Sequence, residues 1–196
     1  MINSIIERVT QGIEGRFANA GNNAAVLMQI VEEAGDGNYL EIGVLHGGSL
    51  CAVGLLKKAL GHSGICVGVD PFDGYYFKST KTIVDKSKVP VSLKTAQENL
   101  ERFGLDQVRL IPAYSPDFEI DETFVVAYID GDHTEDGVWK DWLKVKDITS
   151  GYVVFHDYDA IPDVTCACER ALEDPAWELH SKGYCSFVLK RKAETP

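Results

Sequence analysis

Two short segments hold the residues best suited to chemistry, Asp130-Gly-Asp-His133 and His156-Asp157. Each follows an apolar run, Phe124 to Ile129 and Tyr152 to Phe155, so each would emerge at the carboxyl end of a strand. Carboxylates delivered from two strand ends suit a divalent cation that keeps positions for water or a ligand oxygen. An imidazole beside them can take or give a proton near neutral pH. Asp130, Asp132, His133, His156 and Asp157 could equally form a hydrogen-bonded polar rim with no metal, and residue types alone leave both open. A different chemistry is offered by the run from Tyr39 to Ser49, in which an apolar strand meets glycines at 43, 47 and 48 and then a helix start. Such a turn lets a ligand approach main-chain N–H groups at the positive end of a helix, as in nucleotide-type pockets. The spacing E-x-G-x-x-x-G-G is not the G-x-G-x-x-G of dinucleotide units. Glu41 would repel a pyrophosphate and suits an ammonium or sulfonium charge. Asp70 closes another apolar run, where a carboxylate can accept hydrogen bonds from ribose hydroxyls.

These groups need a scaffold that brings several strand ends to one edge. Apolar residues at Ile2, Ile5, Ile6, Val9 and Ile13 recur at helical spacing and predict an amphipathic helix over 1–17, capped by Asn3 or Ser4. Val26, Leu27, Ile30 and Val31 predict a second over 24–34, stopped by Gly35. Further helices are predicted over 49–60, 92–103 and 163–173, and another starts at a Thr134 cap with Val138, Trp142 and Val145 on one face. Strands are predicted over 39–43, 65–70, 108–114, 124–130 and 151–157, and a terminal hairpin over 177–180 and 185–190 turns at 181–183. Strands alternating with helices imply a Rossmann-like α/β fold. The sheet is doubly wound, mostly parallel and seven-stranded, with helices on both faces and an antiparallel hairpin at the end. One domain over 1–196 is expected, with N-terminal helices over 1–35. Residues 71–91 have no clean period and are predicted to form a lid or substrate insertion, with Phe72, Tyr75, Tyr76 and Phe77 followed by a lysine-bearing stretch.

With 196 residues and 45% hydrophobic content the chain can bury one substantial core. The net charge of −11 disfavours nucleic acid, whose recognition rests on clustered Lys and Arg. No long apolar run or signal-peptide layout is present, so a cytoplasmic protein with no membrane partner is expected. Cysteines at 51, 66, 166, 168 and 185 read as buried or half-buried thiols, since their spacing matches no zinc site. His46, His62 and His180 read as surface or loop residues, and Trp139 and Trp142 as helix packing.

Taken together, E-I-G-V-L-H-G-G-S, V-G-V-D-P-F, I-D-G-D-H-T and V-V-F-H-D-Y resemble class I S-adenosylmethionine-dependent methyltransferases. The last two are similar to small metal-dependent O-methyltransferases, including those acting on natural-product sugars. The resemblance implies methyl transfer to a hydroxyl of a small-molecule acceptor with help from a divalent cation, Mg²⁺ in the first instance. It implies cofactor contacts from Glu41, Gly43, Gly47, Ser49, Asp70, Ser115 and Asp130, metal ligands Asp130, His156 and Asp157, and His133 as general base. His156 departs from the pattern, because an imidazole matches Zn²⁺, Mn²⁺ or Fe²⁺ better than Mg²⁺. A nicotinamide-dependent reductase and a non-catalytic nucleoside-binding module are the alternatives on the same fold. A second copy of the chain is a candidate partner through the N-terminal helix.

Overall fold

Alternating apolar strands and amphipathic helices assemble, in the computed structural model, into a seven-stranded sheet in the order β3-β2-β1-β4-β5-β7-β6. The structure describes residues 1–17, 22–73 and 87–193. The strands are β1 (Tyr39–Ile42), β2 (Cys66–Asp70), β3 (Val108–Pro112), β4 (Phe124–Ile129), β5 (Thr149–His156), β6 (Trp177–Gly183) and β7 (Ser186–Arg191). Neighbours from β3 to β5 pair in parallel, while β7 runs antiparallel to both β5 and β6. The predicted fold class is therefore the observed one. β1 sits beside both β2 and β4, so the order reverses there and a crevice opens at the carboxyl ends.

The helices are α1 (Ile2–Gly12), α2 (Asn23–Ala34), α3 (Gly48–Leu60), α4 (Leu93–Arg102), α5 (Glu135–Val145) and α6 (Pro162–Ala171). Strand alternation divides the core between two faces. Tyr39, Val126, Tyr128, Tyr152 and Val154 join the apolar side chains of α1 to α4, whereas Leu40, Ile42, Ala127, Ile129, Val153 and Phe155 pack with α5 and α6. On the second face Trp142 meets Trp177 edge-on, with ring centroids 5.2 Å apart, as the packing role for Trp142 requires. Ile2, Ile5, Ile6 and Ile13 of α1 pack against the chain's own core. No helix among the described residues is long and apolar enough to cross a membrane.

Several local expectations hold and others shift. Ser92 accepts from Thr95 N and Thr134 from Gly137 N, each capping its helix. Gly61 ends α3 at φ 72°. α1 starts one residue after Met1 with no side-chain cap, so Asn3 and Ser4 lie inside the helix. Its end comes at Gly12, where Ile13 turns to extended backbone at φ −75° and ψ 139°. The hairpin turn is not at 181–183: β6 absorbs a register shift between Leu179 and Ser181 and runs on to Gly183. Tyr184 and Cys185 make the connection at φ 53° and 56°, the doubly positive geometry whose twist matches the flanking strands. Most of the predicted lid lies outside the described residues, including Tyr75, Tyr76 and Phe77; Phe72 is buried at its start.

Candidate active site

The turn after β1 is built from inside the protein outward. Glu41 is fully buried and accepts hydrogen bonds from Tyr39 Oη at 2.7 Å and Ser49 Oγ at 2.6 Å. Burial pushes its carboxyl up to about 8, against the pull of those two hydroxyls. It therefore stands behind the turn, orienting Ser49, and is not part of the cavity wall. Asp70 Oδ2 accepts from Val44 N at 2.9 Å and Leu45 N at 3.0 Å, while Oδ1 accepts from Phe72 N at 2.7 Å. Burial raises its pKa, and these backbone donors oppose the rise. Asp70 thus shapes the turn while still lining the cavity, where its carboxylate oxygens keep lone pairs for a ligand.

Gly43 has a structural reason beyond ligand access. At φ 88°, a Cβ there would lie 2.0 Å from the Asp130 carbonyl oxygen. The ends of β1 and β4 can meet this closely only without a side chain. Gly47 supplies the left-handed helix cap at φ 86° and does not reach the cavity, whereas Gly48 and Ser49 line it.

Opposite the turn, β4 and β5 deliver Asp130, His133, His156 and Asp157, whose ligand-capable atoms lie within 4.8 Å of one another. His156 Nδ1 is 2.9 Å from Asp130 Oδ1 and 3.3 Å from Asp157 Oδ1. His133 Nε2 is 3.3 Å from Asp130 Oδ1 and 3.5 Å from Asp157 Oδ2. Burial disfavours the charged imidazole, but Asp130 and Asp157 outweigh it and push His156 up to about 10. His133 is shifted upward for the same reasons. Burial would raise Asp130, and the two histidines instead hold it well below the usual carboxylate range. Asp132 does not join the cluster; its Oδ1 accepts from Thr134 N at the start of α5. Two carboxylates facing two imidazoles can be neutralised by protons on the rings, or by a divalent cation bound to neutral rings. The donor set therefore fits a metal, and an imidazole nitrogen among the carboxylates favours a borderline transition ion over Mg²⁺.

A cavity of about 710 Å³ joins turn and cluster. Ser115 lines it and donates to Oδ1 of Asp141, a buried acid on α5 that also faces the cavity. Asp141 is absent from the predicted site. Its signal was an acid next to Trp142 and three residues after Val138, on the apolar face of a helix. His46 corrects the surface reading: it has no exposed area. Its Nδ1 accepts from Arg16 N at 3.2 Å, and its Nε2 lies 3.2 Å from the Val89 carbonyl. Asn99, equally buried, donates to His46 O and Glu14 O and accepts from Glu14 N. This polar knot holds Arg16 and Phe17 at the cavity wall. His180 pairs with Glu33 far from the site.

Residues 40–158 match a family model described as a methyltransferase domain. No curated protein sequence is significantly similar to the chain. Among solved structures, an O-methyltransferase from Bacillus cereus in complex with SAH is 18% identical, with 96% of this chain and 91% of that one covered and a TM-score of 0.62. The SAH-bound Podospora anserina methyltransferase PaMTH1 is 13% identical, with coverage of 98% and 88% and a TM-score of 0.64. CalS11, a TDP-rhamnose 3′-O-methyltransferase of calicheamicin biosynthesis, is 15% identical, with coverage of 96% and 93% and a TM-score of 0.62. At these identities the structures establish a shared fold.

Proposed function

The chain belongs to the methyltransferase-domain family, and from that membership we propose that it transfers the methyl group of S-adenosylmethionine to a hydroxyl oxygen of a small molecule, assisted by a divalent cation. The observation that carries this reading is a cavity with a glycine turn on one side and the Asp130, His133, His156 and Asp157 cluster on the other. S-adenosylmethionine, when bound, supplies an electrophilic methyl on a sulfonium sulfur. Asp70, outside the histidine-paired cluster, gives the cavity wall beside the turn a carboxylate that suits a cationic donor. Gly48 and Ser49 present the first turn of α3 without bulk. Asp130, His156 and Asp157 would hold the cation, which when bound lowers the pKa of an acceptor hydroxyl.

His133 fits the role of base best when the carboxylate charge beside it is neutralised. Asp130 and Asp157 otherwise favour its protonated form, in which it has no lone pair to offer. What remains for the chain is placement of acceptor oxygen and methyl carbon in line, a positioning task that a closed pocket performs well.

Isothermal calorimetry with S-adenosylhomocysteine is the direct test, and absence of binding at millimolar ligand would sink the proposal. EDTA should abolish turnover, with Mn²⁺ or Zn²⁺ restoring it better than Mg²⁺; full activity in chelator removes the cation. His133→Ala should lower turnover by roughly 10²-fold or more while cofactor affinity changes little. Equal loss of both would assign His133 a structural role.

A further inference from the structure

One buried side chain joins two segments that lie far apart in the chain and line the same cavity. His46, in the turn between β1 and α3, has no exposed area. Its Nδ1 lies 3.2 Å from the main-chain nitrogen of Arg16, and its Nε2 lies 3.2 Å from the main-chain carbonyl oxygen of Val89. An amide N–H only donates and a carbonyl oxygen only accepts. These partners therefore select the tautomer with its proton on Nε2, donated to Val89, and its Nδ1 lone pair facing Arg16.

Each segment carries wall residues. Arg16 and Phe17 line the cavity from one and Val91 from the other, whereas His46 itself does not reach it. Phe17 lies against the first turn of α3, where a Cβ on Gly48 would stand 2.6 Å from its Cδ2. Further bonds fasten both segments to one helix. Asn99 of α4 accepts from Glu14 N at 2.8 Å and donates to the carbonyl oxygens of Glu14 and His46. Thr95 of the same helix donates to Pro90 O at 3.1 Å. A ring whose two nitrogens serve two segments couples them. When either segment moves off, water enters beside the ring and weakens the bond to the other, because a hydrogen bond is stronger where water is excluded.

We propose that His46 is a positioning residue that clasps residues 14–17 to residues 87–91, so that both segments bear on a bound adenosyl donor as one unit and slow its escape. This rests on the reading that such a donor occupies the cavity. His46 acts on the donor through Arg16, Phe17 and Val91, not by contact.

The test combines ligand binding with amide hydrogen exchange on the full chain. His46→Leu removes both ring nitrogens and should weaken S-adenosylhomocysteine binding by roughly 10- to 100-fold, mostly through faster dissociation. Wild-type affinity and dissociation rate in folded His46→Leu overturn the inference. Two further variants each keep one half of the clasp: His46→Asn retains an acceptor near the Nδ1 position and His46→Gln a donor near Nε2. In both, exchange measured by NMR without ligand should quicken over residues 14–17 and 87–91 alike. Quickening confined to the segment whose contact was removed shows two independent loops and overturns the coupling, whether or not His46→Leu folds. Failure of the wild type to bind S-adenosylhomocysteine overturns the donor reading instead, and the exchange result separates that outcome from failure of the clasp.

Discussion

At the scale of single residues, the site is decided by where each acid keeps its proton. Glu41 and Asp141 are buried and Asp130 is half-buried; of the three only Asp130 pairs with imidazoles, and it alone is driven toward the ionised form. Glu41 has hydroxyls as partners and burial carries it up to about 8. Its folded pKa lies above the unfolded value of about 4.3. Its neutral form is therefore fully compatible with folding below that value, and stability is lost as pH rises from there through about 8. Glu41→Gln cannot ionise and should remove this component. Urea unfolding at pH 5 and pH 9 should show the wild type losing stability relative to the variant by an amount on the order of a few kcal/mol. A wild type and variant that respond identically to pH would show that Glu41 is ionised in the folded protein. Such an acid is legible as a charge at a strand end, but its neutrality is not, because Tyr39 and Ser49 become its surroundings only once strand, turn and helix have met.

At the scale of elements, residues 13–17 after α1 are held to the cavity by buried polar groups. His46 and Asn99 tie Glu14 and Arg16 to the turn after β1 and to α4. Gly15 passes the His46 ring at φ 104°, and a Cβ there would lie 2.5 Å from the ring carbon Cγ. Gly15→Ala should cost about 1–3 kcal/mol and also weaken cofactor binding, since Arg16 and Phe17 line the cavity. Gly35 is the control: it has φ 77° but nothing within 4 Å of a built Cβ. Gly35→Ala should cost about 1 kcal/mol and leave binding unchanged. Equal effects on binding would show that the segment does not shape the pocket. Helix spacing revealed α1 and its apolar face, but not the path that follows it, because that path depends on partners thirty or more residues away.

At the scale of the whole molecule, the two core clusters share one sheet, with alternate side chains of β1, β4 and β5 pointing to each. Removing packing from either face should therefore weaken both. Leu56→Ala on one side and Trp142→Ala on the other should each destabilise by about 2–5 kcal/mol, within a single unfolding transition monitored by far-UV circular dichroism and tryptophan fluorescence. Transitions that separate between the two probes would divide the chain into two units. The sequence by itself determined the element types, the mostly parallel sheet and the acids at the ends of β1, β2, β4 and β5. These follow from local periodicity and from the turn chemistry at strand ends, which a linear chain displays directly. Tertiary structure alone decided which acids face the cavity and which brace it from behind. It placed Glu41 behind the turn, gave Asp70 the backbone N–H groups of Val44 and Leu45, buried His46, and brought Asp141 to the wall. The physical reason is that an acid's role depends on its burial and partners, and both are set by contacts between residues far apart in the chain.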